Sequence, residues 1–598
     1  MFILGLLLIF CDFAYSQNIH RDGPNWYNTQ YPIPVMHLEG SIEEMAIAHA
    51  KFALQNPNGK ETLEYFADLP YRYFIHNPSL KNRLVLRKLT EWFYKFVIRK
   101  RMLEHVPAVY YGAYKSFAQT LQISEEKIWD GLFIPDIALN GSSLVFGHEQ
   151  APILPLSFGC TSIIWNSRAA SVLHGRNLDY EGVGYWDQNQ VLIHFVPQDG
   201  LAHVAVAALG MHASGITAFN ETGLTLAIHQ LNLDDTQVSA TPVVIVSAEV
   251  MRQAHNINDA IQIIKSFPRS AGWAYIVSQG QDRAVIETSA HHVEIRRSST
   301  PFFYQTNHVS SEELRKKEIF YTPGGWLDTF ERAQTLEQYA KIKGNKELAS
   351  VQKMANLLGN HSRVAGGTLA KLENIQSVIF DANHKRLWIA KGSSSKAPNE
   401  GKFIEYRWSH LRSALPPIVS DYEVETSLVK DLGKEKIRLR GLLRKAYNKR
   451  LIAHPEKREA LLIEYVKNFK EFSKNKKINL EGSWPGFYFY VWDFLRKTPI
   501  QNPEHLLEIL ELALKDPDLH KDNLYSKHRF SLGKLFHGRL FDLLNHREKA
   551  KVEYQKAIES ASFERLKKAA IKNLNSPYTW EDTKKIAVEW GMVDLFQY

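Results

Sequence analysis

Pro155-Leu-Ser-Phe-Gly-Cys-Thr-Ser-Ile-Ile-Trp165, then Asn166-Ser-Arg-Ala-Ala170, then Ser171-Val-Leu-His-Gly-Arg-Asn-Leu-Asp-Tyr180, reads as two apolar strands around a polar turn. Cys160 heads the first strand; Arg176 and Asp179 close the second. Antiparallel pairing across the turn brings these ends together. A thiol, a guanidinium and a carboxylate are therefore expected on one edge.

Working outward, the period stays alternating downstream. Val191–Val196, His203–Ala208, Ile216–Phe219 and Leu224–Ile228 are expected strands, separated by turns such as Asn220-Glu-Thr-Gly223. Helical spacing follows at Val243–Met251 and at Ile257–Ser266, the latter capped by Asn256 or Asn258. Strands resume at Trp273–Val277, Arg283–Glu287 and His292–Arg296. Helices are expected over Thr329–Ile342 and Leu348–Leu358, and a last hairpin turns at Asn383-His384. Upstream, residues 17–34 read as an extended lead-in and 37–140 as mostly helix, with an N-cap at Ser41. Strand clusters alternating with helix pairs predict a layered α+β fold with antiparallel sheets.

Composition divides the chain of 598 residues. The net charge is +9, and residues 421–598 hold 34 basic against 26 acidic groups, leaving the first 420 nearly neutral. The part after Pro417 reads as helical and basic. Gly538, Phe541, Ala550, Tyr554 and Ala557 have the spacing of one tetratricopeptide-like hairpin. Residues 1–16 form an apolar run ending Ala14-Tyr-Ser16, the pattern of an export signal. The chain has two cysteines, Cys11 and Cys160, so the exported form keeps Cys160 alone. A lone thiol excludes an intramolecular disulfide framework and is either inert or kept for reactivity.

Gly159-Cys-Thr-Ser-Ile-Ile-Trp165 followed by His174-Gly-Arg-Asn-Leu-Asp-Tyr180 resembles the start of the catalytic subunit of N-terminal-nucleophile (Ntn) hydrolases of the choloylglycine hydrolase and penicillin acyltransferase group. The acid ceramidase and acylethanolamine amidase branch is similar at the same places. The resemblance covers roughly residues 36–392. It implies a four-layer αββα sandwich and a precursor that cleaves itself between Gly159 and Cys160. Cleavage turns an amide into an α-amine with an ordinary pKa of about 7.7–8.0, a base fixed to the nucleophile's own backbone. By the family pattern Asp179 anchors the new ammonium, and Arg176 favours the thiolate and helps hold the substrate carbonyl. Asn220, in an Asn-Glu-x-Gly-Leu element, and Asn307, in Thr306-Asn-His308, are the implied oxyanion donors. Arg332, on a helix, closes the site.

These readings divide the chain into 1–16, a signal peptide; 17–159, a helical segment released as a small subunit that stays bound; 160–420, the catalytic domain; and 421–598, a separate basic helical domain. The expected reaction is hydrolysis or transfer of an N-acyl group, with an apolar acyl chain implied by the family, in an exported protein: periplasmic or secreted, or lysosomal in a eukaryotic host. Aromatic helices over 63–130 are candidates to shield a lipidic tail. No cofactor is called for. No His-Glu-x-x-His or paired-cysteine spacing points to a metal, and no phosphate loop is present. The run Lys434–Arg450 reads as a solvated face or as a contact for an anionic surface or protein partner, with no specific nucleic acid implied. The competing expectation is a secreted helical-repeat interaction protein carrying a degenerate hydrolase domain.

Overall fold

A computed structural model describes residues 18–72, 84–146, 159–168, 171–319, 323–360, 369–414, 424–425, 428–473 and 503–583. The run 1–16, expected to be an export signal, and residues 155–158 and 169–170 of the quoted stretch lie outside them.

The first sheet has ten strands in the order β1-β2-β3-β6-β7-β8-β9-β10-β11-β12: β1 (Ile19–Asp22), β2 (Asn25–Asn28), β3 (Val35–Gly40), β6 (Gln190–Pro197), β7 (His203–Ala208), β8 (Thr217–Asn220), β9 (Thr225–Gln230), β10 (Trp273–Gln279), β11 (Asp282–Thr288) and β12 (Val293–Arg297). The second has seven, β13-β4-β5-β14-β15-β16-β17: β13 (Phe302–Gln305), β4 (Gly159–Asn166), β5 (Val172–Asp179), β14 (Asn374–Asp381), β15 (Arg386–Lys391), β16 (Lys402–Arg407) and β17 (Val424–Glu425).

The layers follow from period-2 alternation. Leu192, Val204 and Phe219 of the first sheet pack against Val378, Phe380 and Leu387 of the second. The outer face of the first sheet, through Ile193, Leu226 and Tyr275, meets Phe52, Phe117 and Ile245 of its helices. The outer face of the second, through Ile163, Trp165 and Ile379, meets Leu336, Met354 and Leu358. The order is helix, sheet, sheet, helix. Strands covered on both faces read as continuous apolar runs, and all eight residues of β5 are buried.

Two expectations are corrected. The segment 17–159 is not simply helical, because β1, β2 and β3 lie within it. Val35 faces the inter-sheet core while Met36 and Leu38 face the helices; β3 also carries His37 and Glu39 and ends directly before the helix cap at Ser41, so strand and helix run together in the sequence. The cap at Ser41 does start a helix, Ile42–Leu54, with a full capping box. The sheets are also not wholly antiparallel, since β3 runs parallel to β6.

The C-terminal helices, among them Leu428–Tyr447, Pro455–Ser473, Pro503–Ala513 and Leu524–Leu543, share their own core of Leu462, Tyr465, Leu506 and Phe536. A Cβ on Gly538 would lie 2.5 Å from Cε1 of Tyr554, so that glycine sets the close approach of Leu524–Leu543 to Arg547–Ser560. The basic run 434–450 does not simply face solvent. Arg444 pairs with Asp187 at 2.6 Å, Lys449 with Glu181 at 2.9 Å, Arg450 with Glu61 at 2.5 Å, and Arg440 with Glu400. Four of its cations are spent on carboxylates outside the C-terminal helices.

Candidate active site

Strands β4 and β5 pair in the register Gly159 to Asp179, Cys160 to Leu178 and Ser162 to Arg176. Opposed residues share a face and neighbours alternate. Cys160, Ser162, Arg176 and Leu178 therefore point toward the first sheet, and Gly159, Thr161 and Asp179 toward the helices. The expectation of three groups on one edge needs this correction: the thiol and the guanidinium share a face, and the carboxylate lies on the other.

Arg176 is 1% exposed. It donates to the carbonyls of Ile216 and Ile228 and to Oγ1 of Thr217, and it stands within hydrogen-bonding reach of the Cys160 thiol. None of these three oxygen acceptors is a carboxylate, so the cation is left to favour negative charge on the sulfur or beside it. Burial dominates here. It pushes the Cys160 thiol up, against the pull of Arg176, and it pushes Arg176 itself down. The thiol is thus held neutral.

On the backbone, Cys160 is gripped at both ends. Its N–H donates to Oδ1 of Asn307 at 2.6 Å. Its carbonyl accepts from Arg332 at 2.6 Å. Arg332 also donates to Thr161 Oγ1 at 3.0 Å, to Asn307 Oδ1 at 3.0 Å and to Asp328 Oδ2 at 2.8 Å. Two donors on Oδ1 fix the orientation of the Asn307 amide, and its Nδ2 gives one hydrogen to the Gln230 carbonyl at 3.1 Å.

Asp179 faces a second charged group. Its Oδ1 accepts from Asn374 at 2.8 Å, while its buried Oδ2 has no partner. Burial lifts its pKa to about 6, against the pull of Lys371 and Arg332. Glu373 is lifted by burial to about 7. Asp328, also buried, is nonetheless held below the usual carboxylate range by Lys371 and Arg332. The Asp179 carboxylate thus stands cross-strand from Gly159 with one buried oxygen lacking a hydrogen-bond donor.

Asn220 does not join this set. Its Nδ2 donates to the Met251 and Ala254 carbonyls at 3.3 and 2.8 Å, and its Oδ1 accepts from Thr222 and Leu224. Both amide hydrogens close the β8–β9 turn onto a helix end. The expected oxyanion role is corrected, since no hydrogen is left to offer.

Cys160, Arg176 and Leu178 open onto a cavity of about 60 Å³, walled by Phe66, Leu132, Ile134, Trp186, Val244 and Trp273 among others. Of the aromatic helices expected over 63–130, Phe66 reaches this cavity, while Trp129 is buried in the core beside it.

Asp328, Lys371 and Asn374 were not picked out from the sequence. Asp328 lies four residues before Arg332, the spacing of a helical ion pair. Lys371 sits between strands and carries no local signal.

Residues 165–396 match the family described as acyl-coenzyme A:6-aminopenicillanic acid acyl-transferase. An uncharacterized protein of Archaeoglobus fulgidus is 30% identical over 113 residues, which is 18% of this chain and 19% of that protein; the matched stretch thus spans about a fifth of the archaeal chain. The Caenorhabditis elegans N-acylethanolamine-hydrolyzing acid amidase ortholog overlays 37% of this chain and 93% of its own, at 14% identity and a TM-score of 0.28, an overlap too loose to carry an assignment. Residues 165–396, which hold most of the second sheet and part of the first, are thus similar to that acyltransferase family.

Proposed function

We propose that the chain is an exported, self-processing enzyme that hydrolyses or transfers the acyl group of a linear N-acyl amide through an acyl-Cys160 intermediate. The observation that carries this is the hold on Cys160. Its amide nitrogen rests on Asn307, its carbonyl on Arg332, and its thiol faces Arg176 at the mouth of an apolar cavity.

In the first step the thiol adds to the Gly159 carbonyl. The Gly159–Cys160 C–N bond breaks, a thioester forms, and the sulfur's proton ends on the new amine. Water then cleaves the thioester, leaving the Gly159 carboxylate and a free thiol. In turnover the α-amine takes the thiol proton and returns it to the leaving amine. Asn307 Oδ1 orients that amine, and Asp179 supplies the charge that balances its ammonium form. Arg176 favours the thiolate, and the remaining Asn307 hydrogen serves the oxyanion. The cavity wall favours an apolar acyl group, since each buried methylene contributes about 0.8 kcal/mol. The small subunit stays bound because β3 lies between β2 and β6.

Intact-mass and N-terminal sequencing of the purified protein test this. The expected result is a fragment starting at Cys160 that disappears in Cys160→Ala, together with thiol-dependent turnover of an acyl-amide panel. A chain that stays whole at every pH from 4 to 9 sinks the self-processing claim. Product analysis with added amine separates hydrolysis from transfer.

A further inference from the structure

The segment 369–374, which precedes and enters β14, belongs to no expected motif, yet it lies against the bond proposed to break. Lys371 is 2% exposed, with Nζ 2.7 Å from Asp328 Oδ2. A Cβ on Gly159 would stand 2.9 Å from that Nζ, so the ammonium abuts Gly159 and a side chain there would have to displace it. The residues on either side of Lys371 are each held by an arginine of the C-terminal helix Leu428–Tyr447. Arg440 donates to the Ala370 carbonyl and Arg444 to the Leu372 carbonyl. Arg444, fully buried, is itself anchored on Asp187 at 2.6 Å. The family match ends at residue 396, so both arginines come from outside the matched region.

We infer that Lys371 is a catalytic residue of the self-cleavage step and that Arg440 and Arg444 are its positioning residues, which makes the C-terminal helical region a working part of the precursor. This rests on the self-cleavage proposed above. Addition of Cys160 sulfur to the Gly159 carbonyl puts negative charge on that oxygen. Hydrolysis of the thioester by water leaves a second negative charge, the Gly159 carboxylate. A cation abutting Gly159 stabilises both, while no proton need leave it. Asp328 neutralises the buried ammonium and fixes its place. The precursor has no α-amine, so it needs fixed charge here more than the cut enzyme does.

The test follows the full chain after cell-free synthesis, measuring the fraction cut against time by intact mass. The variants are Lys371→Met, Lys371→Arg, Arg444→Met and the double Lys371→Met/Arg444→Met, with folding checked by melting each in a Cys160→Ala background. Lys371→Met is expected to slow cutting by about 10²-fold, the scale of losing one preorganised charge-stabilising group. Turnover per cut chain, counted by thiol titration, should fall by less than the rate of cutting does. Lys371→Arg should restore most of the rate. Arg444→Met should slow cutting alone but add nothing to Lys371→Met, the mark of acting through it. A wild-type chain that never cuts overturns the self-cleavage reading itself. A wild-type chain that cuts while Lys371→Met cuts equally fast overturns the role of Lys371. Full additivity in the double variant overturns the positioning role. If Lys371→Met does not melt cooperatively, Lys371→Gln and Arg444→Met carry the same decision.

Discussion

Cys160, Arg176 and Leu178 look toward the ten-stranded sheet and an apolar cavity. Gly159, Thr161 and Asp179 look the other way, and near them stand Asp328, Arg332 and Lys371. Both groups share the same strand ends, one residue out of phase. Among the described residues that line the cavity, the one charged side chain is a guanidinium bonded to neutral oxygens. On the helix side carboxylates and cations interleave. The difference teaches that a β-strand can separate two environments by parity alone: an apolar one on the face with the thiol, and an interleaved ionic one on the face with the carboxylate. Only the Cys160 backbone, held by Asn307 and Arg332, belongs to both.

The sharpest way to break this division is Arg176→Met. Turnover per cut chain should fall about 10²–10³-fold, as for removal of a transition-state donor, with kcat taking most of the loss. Steady-state kinetics on thiol-titrated enzyme measures it. Equal loss with Asp179→Asn in every parameter would erase the distinction between the faces. Next comes Ala213→Phe, which fills the cavity wall. Longer acyl donors should lose about 10–200-fold in kcat/KM relative to short ones, one to a few methylenes' worth of discrimination, as read from a chain-length series.

The helix side is probed by pH. Asp179 has a folded pKa of about 6, raised from 3.8. Its contribution to stability is therefore present below the unfolded value and lost as pH rises through about 6. In the uncut Cys160→Ala chain, Asp179→Asn should remove part of the loss between pH 4 and pH 8, by about 1–3 kcal/mol. Denaturant midpoints at both pH values check it, and an unchanged difference would show that the carboxylate is not held protonated. The smallest effect on activity is expected for Asn220→Ala: unchanged kcat, with a cost of about 1–3 kcal/mol for carbonyls and amides left unpaired at the β8–β9 turn. A loss of turnover beyond tenfold would return Asn220 to the site.

Much of this site was legible because β4 and β5 advertise themselves. Their strands are bounded by turn residues, and Cys160 is one of two cysteines in the chain. Arg332 was reachable through its helix. What stayed hidden has a common cause. Lys371 acts from an irregular segment, where neither period nor motif constrains position, and its place depends on Arg440 and Arg444, about 70 residues on. Asn220 misled for the opposite reason, since a turn asparagine and an oxyanion donor look alike in sequence. Strands β1 and β2 are four residues each and β3 abuts the cap at Ser41, so none of them offers a run long enough to show its period. The face assignment of Asp179 was available from parity, for 160 and 179 fall on opposite sides once the register is known.

The parallel ladder between β3 and β6 has a bearing on the life history of the protein. Before a cut at Gly159, that ladder joins two parts of one chain, and the long connection between them keeps them at high effective concentration. Afterwards the same ladder is an interface between two molecules. A cut enzyme that is melted would have to find its partner again by diffusion, so refolding would depend on dilution where the precursor's does not. The intact chain would then serve as the folding template for an assembly that, once matured, persists through slow unfolding and not through ready reassembly.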